Sequence, residues 1–461
     1  MDKKQLFEHY MLAGHGRAFK LLDSCGEEFR ELVLYGCLND ISYDMQCEGS
    51  RSLFVYNLAL HYKDYKYFLI PAIEKFLSDE VNMDWHIICH LCDFINHFAD
   101  DAGVESAKEA IDVKYEELYS LIMSMKFGTR AKKITQCYEY LAIAIMQRGD
   151  FSRTLHIFKE MGAYFIRRRH TEDIELRWLF EWFFLLSKDE YGESFIERQL
   201  DENSRNSKEI ACFKRIMTAS KREYAGSGVP VLTVDYLIEN IGTSSVDRRD
   251  IMRFGRKAHD SDKRILAEAV LAEADLNKKA SLLSLFTSAY NVFPMDARPL
   301  VEYAKSENQR LRDAAIDALV YLRADCAHDF AMELLKKGFL GGSVPESHVC
   351  LGALKILIRN YRETDKEFIL LQLEEITIDQ NNTSGWHDLI THILNITEEV
   401  FLPGEIFSFI YEKSRCSICR EYAVEELKNR NLLTSEMISE CLWDCNGNIR
   451  SEAEKLNQSK K

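Results

Sequence analysis

An apolar residue, a small or apolar residue four positions on and a leucine eight positions on recur through the C-terminal half of this chain. Leu311, Ala315 and Leu319 set the pattern. Val349, Ala353 and Leu357 repeat it, then Trp386, Ile390 and Leu394, then Cys419, Ala423 and Leu427. Ile449 and Ala453 begin a last copy whose leucine has moved to Leu456. Positions four apart share one helix face, so each triplet is a stripe that must be covered. One helix pair cannot bury such a stripe alone. Copies offset by 38, 37, 33 and 30 residues therefore predict stacked helix pairs.

Polar residues accompany the stripes at fixed places. Asn308 stands three before Leu311 and Arg312 follows it; Asn446 and Arg450 hold the same places around Ile449, and Arg420 follows Cys419. With the triplets, these residues resemble the HEAT-repeat family over residues 296–461, and residues 262–290 read as a further pair. The resemblance implies an α-solenoid in which the Asn and Arg positions interact between successive repeats as a ladder. Cys350 and His387 stand where the family has Arg, so the ladder is expected to be interrupted there. HEAT arrays serve many unrelated roles, so the resemblance implies a surface and no particular reaction.

The rest of the chain is also expected to be helical. Prolines number six, and Pro230, Pro294, Pro299, Pro345 and Pro403 fall between helical patterns. The fold class read from the sequence is all-α. A helical domain over 1–224 is followed by a linker or hinge at 225–231, Ala-Gly-Ser-Gly-Val-Pro-Val, and a HEAT-like repeat domain over 232–461. Within the first part, Tyr138 to Met161, turning at Gly149-Asp-Phe151, resembles a TPR-like hairpin. The most apolar run, Trp178 to Leu186, is too short to span a bilayer and reads as a buried core helix.

A formal charge of −15 lacks the cationic footprint that broad nucleic-acid contact needs. Thirteen cysteines are scattered without framework spacing, and Met1 to Tyr10 lacks the apolar core of a signal peptide. These features set the expectation of a reduced, cytoplasmic protein without a membrane segment.

Candidate sites are few. His86, His90, Asp93 and His97 fall on one narrow helix face, and histidines four apart can share a metal ion. The glutamate of the HExxH pattern is absent, so a solvated polar face is the plainer reading. Gly14-His-Gly-Arg17 and the polar link Ser42 to Arg51 offer His15, Arg17, Asp44, Glu48 and Arg51 as the lining of a small polar pocket. Ordinary helix-connecting turns are the alternative there. Cys416-Ser-Ile-Cys419, with Cys441 and Cys445, loosely resembles the spacing of a zinc site, although Cys419 occupies a stripe position. Two basic clusters stand out, Arg167, Arg168 and Arg169, and Arg248, Arg249, Arg253, Arg256 and Lys257. Asp247 and Asp250 dilute the second.

The foremost functional expectation is a scaffold, adaptor or regulatory subunit that binds a partner protein and uses no cofactor. Its acidic surface favours a partner with a basic surface. The second is an enzyme, or a small-ligand or metal-binding protein, with its site in the N-terminal half. Neither a phosphate loop nor a nucleophile elbow identifies a catalytic residue. The third is a nucleic-acid-binding solenoid similar to the alkylpurine DNA glycosylases, which requires both basic clusters to share one concave face.

Overall fold

The computed structural model describes residues 2–126, 128–168, 174–219, 232–242, 246, 248–340, 347–378 and 383–458, and these are all-helical apart from one isolated bridge between Ser288 and Asn291. No helix among them is long and apolar enough to cross a membrane. The chain divides into two compact units. The first is Met1–Tyr224 with Arg415–Ile418 and Leu433–Lys461; the second is Ala225–Ser414 with Cys419–Leu432. The linker expected at 225–231 begins at that division and lies outside the described residues. Residues 433–461, read from the sequence as the end of the repeat domain, group with the first unit.

The first unit is centred on the helix Trp85–Asp100, whose start is capped by the Asp84 carboxylate. It packs against Ser52–Leu60, Lys66–Leu77, Glu105–Ser124 and Thr129–Met146. Ile88, Leu91, Cys92, Phe94, Ile95 and Phe98 are fully buried there, which accounts for the amphipathic half of its sequence. The helices Thr129–Met146 and Phe151–Arg168 are joined by a turn at Gly149, whose φ of 81° favours glycine. Its second helix, Phe151–Arg168, packs closely on Lys208–Thr218. Gly162 permits that approach, because a Cβ there would overlap the Glu209 backbone, and Phe158 stacks on Phe213 with centroids 4.8 Å apart. The helices Ser435–Cys441 and Gly447–Gln458 form a C-terminal hairpin, and the first of them packs against Arg17–Cys25.

In the second unit, helices pack on near neighbours along the chain. Gln309–Leu319 touches Ser347–Arg359, which touches Thr383–Asn395, while Arg298–Tyr303 touches Asp325–Leu340. The stripes are covered as expected from their spacing: Leu311, Ala315, Leu319, Val349, Ala353, Leu357, Ile390, Cys419, Ala423 and Leu427 are buried. Trp386, Leu394 and, in the first unit, Leu456 remain half-buried. Asn308 caps its helix by accepting from the Leu311 amide at 3.0 Å.

Two of the repeat arginines act within their own turns. Arg420 donates to the Ser414 carbonyl at 2.9 Å and Arg450 to the Asp444 carbonyl at 2.7 Å, each six residues back. Ties between copies run through Asn446, whose amide donates to the Ser417 carbonyl at 3.3 Å, and through Asn360. The Asn360 amide donates to the Leu322 carbonyl at 3.0 Å, and its oxygen accepts from the Ala324 amide at 2.8 Å. A buried His328–Asp365 contact of 3.0 Å joins the same two turns.

Candidate functional site

Of the five residues read as a possible N-terminal pocket, Arg17 meets the C-terminal hairpin, while Glu48 and Arg51 meet Ser417 and Arg415. Gly14 ends the helix Lys3–Ala13 with φ 66°, and its carbonyl accepts from the Cys445 amide at 2.8 Å. A Cβ on Gly16 would overlap the Glu440 carbonyl, so these glycines bring backbone close to protein. Arg17 forms a two-point ion pair with the buried Glu440 at 2.9 and 3.1 Å, and the Arg17 backbone amide donates to His15 Nδ1 at 3.1 Å. Lys20 reaches Glu436 at 3.2 Å and Glu440 at 3.1 Å, and Trp443 packs on Phe19.

Glu48 and Arg51 meet in a buried ion pair of 2.7 Å. Arg51 also donates to the carbonyls of Ile41 (2.9 Å) and Arg415 (2.6 Å). Glu48 accepts from the amides of Tyr43 (3.2 Å) and Ser417 (2.6 Å). Asp44 accepts from the amides of Cys47 and Glu48 through its carbonyl, closing the short helix Met45–Glu48. All five thus have polar partners within the fold, and the space at the two glycines is taken by neighbouring protein atoms.

The polar stripe of Trp85–Asp100 is spread among separate neighbours. His86 is half-exposed with Nδ1 3.7 Å from Asp40. His90 is fully buried, 2.9 Å from the Gly36 carbonyl, which is not the environment of a solvated face. Asp93 accepts from the Tyr140 hydroxyl at 2.7 Å, and His97 stacks on Tyr56. No three of these four place ligand atoms within 4.8 Å of one another. Cys416, Cys419 and Cys441 are buried, and Cys445 is half-buried.

Burial shifts two carboxyls of this unit in a way that makes its stability pH-dependent. Loss of hydration pushes Glu139 up to about 8, against a hydrogen bond from the Phe183 amide, and pushes Asp93 up to about 6, against bonds from Tyr140 and Ser50. In the unfolded chain both release their protons near pH 4. Between that pH and the folded value, the native state holds protons that the unfolded state has lost, so stability falls as pH rises. Full separation would give about 1.4 kcal/mol per pH unit per group, and half-buried carboxyls give less. Glu139→Gln is expected to flatten the decline between pH 5 and 8, read as melting temperature against pH; an unchanged slope would show that Glu139 titrates normally.

Of the basic clusters, Arg168 is committed to structure, donating to the carbonyls of Ile122 (2.6 Å) and Met125 (2.7 Å) at the end of Glu105–Ser124. Arg167 is exposed beside it, and Arg169 lies outside the described residues. Arg248, Arg249 and Arg253 belong to the helix Arg248–Lys257, where their side chains are not described. Arg256 and Lys257 are exposed, with Arg256 5.0 Å over the Tyr290 ring.

A surface that the sequence reading assigned to the core lies on the helix Ile174–Tyr191. Leu179, Phe180, Phe183 and Phe184 are buried against Thr129–Met146 and its neighbours, as expected. Trp178, Trp182 and Leu185 are 44, 60 and 46% exposed. Their spacing of four and three residues sets them on one face, and Asp189 continues that face into solvent. The signal was present in the run itself: a helix apolar on all sides is either enclosed or partnered. The chain matches no protein-family model, no curated protein and no solved structure.

Proposed function

We propose that this chain binds a partner protein, as a scaffold, adaptor or regulatory subunit built from HEAT-like helix pairs and a helical N-terminal unit. The observation that carries the reading is the exposed Trp178–Trp182–Leu185 face. Two neighbouring tryptophans in water on a rigid helix are costly for a monomer, and tryptophan is the residue most enriched among interface hot spots. Asp189 and Glu190 flank the apolar stripe at its C-terminal end, and the chain carries a net charge of −15. The occupant best matched to that surface is an amphipathic helix of a partner, apolar on one side and lysine- or arginine-bearing at its edge.

Trp178→Ala/Trp182→Ala is expected to weaken binding at least 30-fold, since a hot-spot tryptophan contributes about 2 kcal/mol or more. Quantitative affinity capture from the native cells checks it, with Val113→Ser as the control at an exposed apolar residue on another helix. Recovery of the same proteins by the double variant and the unaltered chain would sink this reading.

A further inference from the structure

The second unit carries an open groove of about 600 Å3 among three of its turns, at residues 323–325, 359–362 and 399–401. Each follows or ends a helix that bears one of the repeated stripes: Gln309–Leu319, Ser347–Arg359 and Thr383–Asn395. The turns therefore lie at the same end of successive helices, and the Asn360 amide holds the first two in register.

Three guanidinium groups line the groove, and they are not equally neutralised. Arg362 pairs with Asp325 at 2.7 Å and with Asp329 at 3.5 Å. Arg359 pairs with Glu399 at 2.6 Å, yet its Nε is buried without a hydrogen-bond partner among the described residues. Arg323 is exposed and donates to the Glu399 backbone carbonyl, with no described carboxylate in ion-pair contact. Asp325, Asp329 and Glu399 are thus engaged by Arg362 and Arg359, and Arg323 is the lining guanidinium left without a described carboxylate against it, in a chain whose total charge is −15. At the rim, Phe401 is 82% exposed, the Arg430 guanidinium lying 4.8 Å from its ring centre.

These features ask for complementary chemistry in a ligand. The exposed Arg323 guanidinium donates to one carbonyl and keeps further N–H groups that a planar carboxylate matches. An exposed phenylalanine beside it offers apolar area to a neighbouring side chain. A nucleic-acid strand fits poorly, because its repeated charge would meet the acidic remainder of the protein. We propose that this groove binds a short acidic peptide segment of a partner protein, seating one carboxylate at Arg323 and Arg359 and an aromatic or large aliphatic side chain on Phe401. The inference rests on the reading of the chain as a partner-binding protein, but on a different surface from the tryptophan face.

The test uses the full chain and a dye-labelled hexapeptide library with Asp fixed at the third position and Phe or Leu at the fourth, read by fluorescence anisotropy. A matched library carries Asn in place of Asp. The expected result is saturable binding by members of the first library, at least tenfold weaker for their Asn counterparts and weakened by added salt. Arg323→Glu and Phe401→Ser should each reduce it at least tenfold, while Trp178→Ala/Trp182→Ala leaves it unchanged, so the two surfaces fail or succeed separately. Both altered positions are exposed; melting temperature checks the fold, and Arg323→Gln replaces Arg323→Glu if that variant is destabilised. Absence of saturable binding, equal binding of the Asn library, or indifference to both substitutions overturns the proposal. So does a phosphoserine version that binds at least tenfold more tightly than Asp, which would make the groove a phosphate site.

Discussion

Glu48→Ala is expected to destabilise the first unit by about 3–5 kcal/mol, a large part of the 5–15 kcal/mol typical of a folded domain. The substitution leaves the Arg51 guanidinium in place, buried and facing only the carbonyls of Leu12, Ile41 and Arg415. It also removes the acceptor of the Tyr43 and Ser417 amides. The cost arises from the stranded charge more than from the lost attraction, and a second variant separates these. Glu48→Leu/Arg51→Met replaces both partners with apolar groups and should recover most of the loss. Urea denaturation followed by tryptophan fluorescence gives both values. Equal destabilisation by the single and double variants would mean that the pair itself, rather than its desolvation, holds the site.

Gly16→Ala should cost about 1–3 kcal/mol, with its effect concentrated at the other end of the sequence. The added methyl meets the Glu440 backbone carbonyl, which cannot rotate away as a side chain would. Relief requires the Ser435–Cys441 helix to move, which also lengthens the Arg17–Glu440 pair. Amide hydrogen exchange is expected to accelerate across residues 434–458 while the helix Trp85–Asp100 stays protected. Unchanged exchange in the hairpin would show that the approach at Gly16 is looser than the packed geometry.

What could be read from the sequence followed its periodicity. Leu311, Ala315 and Leu319 announce a buried stripe because their spacing alone fixes their common face, and the structure buries all three. Long-range partners had no such signature. Gly14 and Gly16 look like an anion cradle until the atoms that fill their space are in place: the Cys445 side chain at Gly14 and, 424 residues away, the Glu440 backbone at Gly16. The resemblance places Asn446 among the ladder positions, and its amide reaches the Ser417 turn of the preceding copy, while a second tie falls to Asn360, a position outside the pattern. The run Trp178 to Leu186 revealed a helix by composition. Which side faced outward depended on tertiary packing against Thr129–Met146, and no local propensity encodes that.

The union of Arg17 with Glu440 across 423 residues also has a temporal meaning. During synthesis, the helices up to Thr218 emerge long before the hairpin that completes their unit. At roughly 5–20 residues per second the interval is on the order of tens of seconds. Phe19, Gly16 and the backbone around Arg51 stand uncovered on the nascent chain throughout, while the intervening residues can already fold as the second unit. The final closure is a contact of very high sequence separation, the kind that forms slowly and leaves apolar surface open to chaperones. A chain stopped before Thr434 would carry that unfinished face permanently.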